Sequence, residues 1–135
     1  MPTPVRHTAT LADLLARTER PLTSFEFMPP RSEEDVYRLW DATDRLVPLK
    51  PDFISVTYGA SGSSRDRTLR CTRHMINSGL RTVGHLTCAS QGVAELEQMV
   101  ERYADAGVNN ILAIRGDMPG GPTQPWAARP DGLPN

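Results

Sequence analysis

Four short apolar runs recur about every 29 residues along this chain, and stretches of helical period separate them. Leu22 to Phe27 alternates Phe25 and Phe27 on one face with Ser24 and Glu26 on the other, the period of a strand. Pro29-Pro30 ends that strand, because proline has no N–H to donate to a ladder. Asp52 to Tyr58, Arg81 to Leu86 and Asn110 to Ile114 read as the second, third and fourth strands.

The intervening stretches read as helices. Ser32 with Asp35 caps the first, which runs to about Leu46 and turns Val36, Leu39, Trp40, Thr43, Leu46 and Val47 to one side. After the polar loop from Gly59 to Ser64, a second runs from about Arg65 to Asn77, with Leu69, Thr72, Met75 and Ile76 inward; Gly79 is placed as its C′ residue. A third covers Gly92 to Ala106, with Val93, Leu96, Met99, Val100 and Tyr103 inward. Ahead of the first strand, Thr10 to Arg17 forms a short capped helix that either covers one end of the fold or frays as a surface turn.

The order β-α-β-α-β-α-β implies parallel strands with right-handed crossovers. Two architectures satisfy it: an open four-stranded α/β sheet, or the first four βα units of a (β/α)8 TIM-barrel type, a half-barrel. No glycine-rich dinucleotide fingerprint follows the first strand, and polar residues stand at all four strand ends, which favours the barrel mouth. The organisation expected is a flexible leader over 1–9, barrel units over 10–120, and a Pro/Gly-rich loop or truncated tail over 121–135.

The residues at those strand ends carry the candidate chemistry. Glu26 interrupts an aromatic strand. A carboxyl on the lumen side would be partly desolvated, which raises a carboxyl pKa and suits a general acid. Thr57 and Tyr58 open the Gly59-Ala60 turn, where hydroxyls can hold a polar ring edge. His85 alternates with Val83 and Thr87. Arg115-Gly116-Asp117 ends the fourth strand, the glycine permitting a flat ligand to approach the backbone and Asp117 accepting from heterocycle N–H groups. An adhesion reading of that tripeptide rests on three residues and is set aside. No metal-ligand spacing is present, and Cys88 beside His85 lacks a third orienting group for thiol catalysis. A Schiff-base aldolase would need a lysine at a strand end, whereas the only lysine, Lys50, precedes the second strand.

Composition narrows the setting. A net charge of −1 supplies no basic field for nucleic acid. No apolar run is long enough for a membrane span, and no secretory signal pattern opens the chain. Two cysteines are read as reduced thiols of a cytoplasmic protein.

Together, SFEFMPPRSEED, LKPDFISVTYGASGSSRDRT, GHLTC and NNILAIRGDMP resemble the methylenetetrahydrofolate reductase family, in the right order and at the right spacing. The resemblance covers roughly residues 22–120. It implies a (β/α)8 barrel with FAD across the C-terminal strand ends, NADH or NADPH as reductant, and reduction of 5,10-methylenetetrahydrofolate to 5-methyltetrahydrofolate. It further implies that Glu26 supplies the proton for ring opening at folate N10 and that Asp117 binds the pterin edge near the flavin. Thr57, Tyr58, Ala60, His85, Arg115 and Gly116, with Asp117, are implied to line FAD. The family continues for four more strands, so this chain is expected to have little or no activity alone. A half-barrel that folds is expected to self-associate through its open edges. The alternative is a non-catalytic half-barrel or interaction module. A proline-dehydrogenase-like flavin barrel has only fold analogy behind it.

Overall fold

Alternation within the strands and helical spacing between them produce the expected order. The structure, a computed structural model, describes residues 9–59 and 62–134. Helix α1 (Leu11–Arg17) precedes β1 (Ser24–Phe27); α2 (Glu33–Leu46) and a 3-10 turn (Val47–Leu49) lead to β2 (Phe53–Val56); α3 (Gly62–Asn77), β3 (Thr82–Thr87), α4 (Val93–Asp105) and β4 (Ile111–Ile114) follow. The strands form one parallel sheet in the order β1-β2-β3-β4. Strands adjacent in sequence are adjacent in space. No strand order reverses, so this is half of a (β/α)8 TIM-barrel type unit and not a doubly wound sheet.

Local chemistry explains the element ends. The Ser32 hydroxyl accepts from the Asp35 N–H at the start of α2. Thr10 and Asp13 form a reciprocal capping box on α1. That helix is not a frayed turn: Leu11 N–H donates to Asn110 Oδ1 at 2.6 Å, tying it to the foot of β4, away from the C-terminal strand ends. The polar loop after β2 is shorter than its composition suggests, because Gly62 already starts α3.

One face of the sheet packs on the helices. Phe27, Ile54 and Val56 meet Leu39 of α2 and Cys71 and Met75 of α3. Leu86 meets Leu69, Leu96, Met99 and Tyr103, with Ala106 and Val108 beside them. Each Leu, Ile, Val, Phe or Met side chain among them, taken out of water, stabilises the fold by roughly 1.5–3 kcal/mol. The expected helical stripes hold at their centres and fail at their flanks. Val47 lies in the 3-10 turn, and Val93 and Val100 lie beside the Leu96–Met99–Tyr103 stripe; all three are exposed. Ile111, Leu112 and Ile114 are exposed too, because β4 has a paired neighbour on one side only.

The start of β1 is fastened to the start of β2 by charge. Asp52 accepts two hydrogen bonds from the Arg20 guanidinium and one from Thr23 N–H. The Arg20 hydrogen bonds first, then the Thr23 N–H, hold the Asp52 carboxyl down at about 2. A carboxyl lowered on folding contributes stability that is present above its ordinary value of 3.8 and is lost as pH falls through about 2. The stability lost in Arg20→Ala is therefore expected to shrink between pH 4 and pH 2, read by circular dichroism across an acid titration. A difference that stays constant over that range would contradict this assignment.

Both cysteines are free. Burial pushes the Cys71 thiol up to about 11, and raises Cys88, which is less deeply buried. At pH 8 about one Cys71 in a thousand would be thiolate, the reactive form. A chromogenic disulfide reagent is expected to label Cys88 well before Cys71 in the folded chain, with the modified residue identified by mass spectrometry. Equal labelling rates would refute that order.

Candidate active site

Parallel pairing brings the C-terminal strand ends to one edge of the sheet, and with them the residues singled out in the sequence. Glu26 is the Cα partner of Ser55 on β2. Paired residues of parallel strands point to the same face, opposite the helix-packed Phe27 and Val56. Ser55 Oγ donates to Glu26 Oε2 at 3.4 Å, and His85 Nε2 of β3 stands 3.5 Å from the same oxygen. Three strands thus converge on one carboxylate oxygen.

The two partners of that contact differ in burial. The His85 side chain is 8% exposed and that of Glu26 59%. The desolvation expected of Glu26 is therefore not met, because the four strands flank it on one side and leave the other open. Nε2 of His85 is buried without a hydrogen-bond partner, since 3.5 Å is a contact and not a bond. A buried ring nitrogen with no partner is costly to keep unless something fills its valence when the site is in use. Behind the histidine, the buried Tyr103 hydroxyl donates to the His85 carbonyl at 2.7 Å and fixes the strand there. Burial raises the Tyr103 phenol, so it remains a donor.

The loop after β2 is tied on both sides. Thr57 N–H donates to Phe27 O, and Thr57 O accepts from the buried Thr68 hydroxyl of α3. The Tyr58 hydroxyl donates to Gln91 Oε1 at 2.9 Å, and burial pushes this phenol up so that it too stays protonated. A small cleft of about 110 Å³ lies there, bounded by Met28, Thr57, Tyr58 and Thr68 among others. That volume holds only a corner of a ligand. A larger groove, of about 590 Å³, lies between α2 and α3 on the helix side, away from Glu26. Ala60 lies outside the described residues.

At the end of β4, Gly116 has φ +78°, and a Cβ built there would stand 2.0 Å from Thr87 Cγ2. Glycine is needed for close packing against β3, in addition to any approach by a ligand. Arg115 is exposed, its guanidinium 4.8 Å from the centre of the Trp126 ring, a cation–π contact. Asp117 is exposed beyond the strand, outside the contact formed by Glu26, Ser55 and His85. Among the described residues, no group of three His, Cys, Asp or Glu side chains is placed to hold a metal ion. No helix there is long and apolar enough to cross a membrane.

Sequence reasoning passed over Ser55, Gln91 and Trp126. Ser55 is legible in retrospect, since it alternates with the apolar Ile54 and Val56 and is paired with Glu26. Gln91 and Trp126 carry no comparable signal, because both sit in irregular segments where periodicity says nothing.

These features define a β/α-barrel protein of the kind that gathers its functional groups at the C-terminal ends of the strands. Comparison with known proteins narrows the class. The profile of the family described as methylenetetrahydrofolate reductase matches residues 10–134, and the chain belongs to that family. It is 44% identical over 103 residues to the 5,10-methylenetetrahydrofolate reductase of Escherichia coli (strain K12), covering 76% of this chain and 35% of that protein. It is 40% identical over 121 residues to the protein of the same name from Pectobacterium carotovorum subsp. carotovorum, covering 87% and 40%. With methylenetetrahydrofolate reductase (NADH) 1 of Arabidopsis thaliana, identity is 40% over 99 residues, covering 73% and 17%. The matched region thus spans well under half the length of these relatives.

Proposed function

We propose that this chain supplies part of the active-site mouth of a flavin-dependent methylenetetrahydrofolate reductase, acting in the cytoplasm to convert 5,10-methylenetetrahydrofolate to 5-methyltetrahydrofolate with NADH or NADPH. The observation that carries the reading is Glu26, held against Ser55 and His85 at the ends of three adjacent parallel strands. The family and the names of its relatives, 5,10-methylenetetrahydrofolate reductases, support the same chemistry. The two free thiols agree with a reducing compartment.

The residues suit a flat, polar cofactor. Thr57 and Tyr58 bound the small cleft after β2, Arg115 stands exposed just past β4, Gly116 keeps the end of β4 close to β3, and the unpartnered His85 Nε2 offers a polar group to a ligand. FAD, when bound, would carry hydride from the nicotinamide to the folate. The protein's own part is proton delivery and placement. Ser55 donates to Oε2 of Glu26, so Oε1 would be the oxygen that holds the proton for folate N10. Asp117, exposed and anionic, would accept from the pterin N–H groups and favour the cation formed when the folate ring opens.

Four strands leave the sheet unclosed, so the 135-residue chain alone is expected to hold FAD weakly and turn over slowly. The test is a chimera in which this chain replaces the matched region of the Escherichia coli relative, assayed anaerobically for flavin reduction by NADH or NADPH and reoxidation by 5,10-methylenetetrahydrofolate. Both half-reactions are expected. A folded, flavin-loaded chimera that fails to reoxidise with the folate would refute the reading. The exposed Ile111, Leu112 and Ile114 on β4 favour a second reading, a self-associating module without flavin. In that case the purified chain would be oligomeric by light scattering and colourless after incubation with FAD and removal of the unbound flavin.

A further inference from the structure

We propose that Gln91 is a positioning residue of this mouth: it holds the Tyr58 phenol, whose ring packs against the helix-side core of Leu69, Leu86 and Tyr103, and through it the loop after β2 that would border the cofactor; the cofactor half of the proposal depends on the function proposed above. Gln91 is 1% exposed, yet it lies in the turn between β3 and α4. Its side chain makes three hydrogen bonds. Oε1 accepts from the Tyr58 hydroxyl at 2.9 Å and from Arg65 Nη1 at 3.1 Å, and Nε2 donates to the Thr87 carbonyl at 2.6 Å. The orientation of the amide follows from its partners. A carbonyl can only accept, so the amino group must face Thr87, and the oxygen is left to Tyr58 and Arg65.

One buried amide therefore joins three separate segments: the loop after β2, the first turns of α3 and the end of β3. A leucine would fill similar space without the desolvation that a buried amide must offset. What an amide adds is direction, and here it directs Tyr58. The turn that carries Gln91 is itself anchored. Arg129 donates to Ser90 O at 2.8 Å, and Val93 N–H donates to Asp131 O at 2.8 Å. A Cβ on Gly92 would stand 2.6 Å from Asp131 Oδ2, so the tail is fitted onto this turn and does not merely drift past it. Arg65 continues to Glu95, which also caps the Gly92 N–H at the start of α4. Residues 129–131 thus brace Gln91, and Gln91 braces Tyr58.

The test combines Gln91→Met, close in size but unable to make these bonds, with Tyr58→Phe, first in the chimera titrated with FAD. Each single variant is expected to weaken FAD binding about five- to tenfold through the Tyr58–Gln91 bond that both of them remove, and the double variant to be no weaker than either single one. Additive losses, or a lowered melting temperature with unchanged FAD affinity, would overturn the proposal and leave Gln91 a purely structural residue. A wild-type chimera that takes no FAD refutes the proposed function instead. The positioning claim is then decided by NMR on the chain itself. Tyr58 ring resonances are expected to move toward averaged values in Gln91→Met, and the Gln91 side-chain amide to exchange faster in Tyr58→Phe. Resonances and exchange unchanged in both would overturn it. Because Tyr58→Phe leaves the Thr87 and Arg65 bonds in place, it reads the same contact should Gln91→Met fail to fold.

Discussion

Glutamine in place of Glu26 is expected to slow folate-dependent reoxidation of the flavin in the chimera by about 10²- to 10⁴-fold, the usual contribution of a positioned general acid. The substitution keeps the size of the side chain and can still accept from Ser55 Oγ, so packing is preserved while the proton is lost. Glu26 is also largely exposed, which keeps the cost to folding small. Reduction of the flavin by NADH or NADPH requires no proton at folate N10 and is expected to be unchanged. Stopped-flow measurement of the two half-reactions separates these outcomes. Equal slowing of both would mean that Glu26 shapes the flavin site; no slowing of either would remove it from the reaction.

Valine in place of Gly116 is expected to destabilise the chain by about 3 kcal/mol or more. Two independent penalties meet there. The residue lies at φ +78°, a conformation that costs a β-branched residue roughly 1–3 kcal/mol. A Cβ would also overlap Thr87 Cγ2, and relieving such overlap in a packed site typically costs about 1–3 kcal/mol more. Either β4 or the end of β3 must shift, and Cys88 N–H and Ala89 N–H would lose their bonds to Ile114 O and Arg115 O. Urea denaturation should show a lower midpoint. Thr87→Ala in the same background should recover the overlap part of the loss and none of the backbone part. A Gly116→Val chain as stable as wild type would mean that the turn is not held against β3.

The distribution of what was legible follows from physics. Strands and helices were recovered to within a few residues because their periods, two and 3.6, are set by backbone geometry and survive in any context that buries one face. Caps at Thr10 and Ser32 were legible for a similar reason: the partner lies three residues away. The flanks of the helices were not, since whether Val93 or Val100 is covered depends on a neighbouring element and not on the helix that carries them. Glu26 and His85 were legible as polar residues in apolar strands, but nothing in their spacing showed that they share an oxygen with Ser55. That contact depends on the register of three strands.

By itself, then, the sequence determined the order of elements, the parallel βα repeat, the family, and the set of polar residues at strand ends. All of these are local patterns or segments read in order along the chain. Tertiary structure alone decided which of those residues meet. It placed Ser55 and His85 on one oxygen of Glu26, left that carboxylate largely in solvent, seated Trp126 on Arg115, and folded residues 129–131 over the turn that carries Gln91. Those contacts join residues as much as 59 positions apart, between Glu26 and His85. Contacts across such distances are chosen by sheet register and by the paths of irregular segments, neither of which leaves a periodic trace in the sequence.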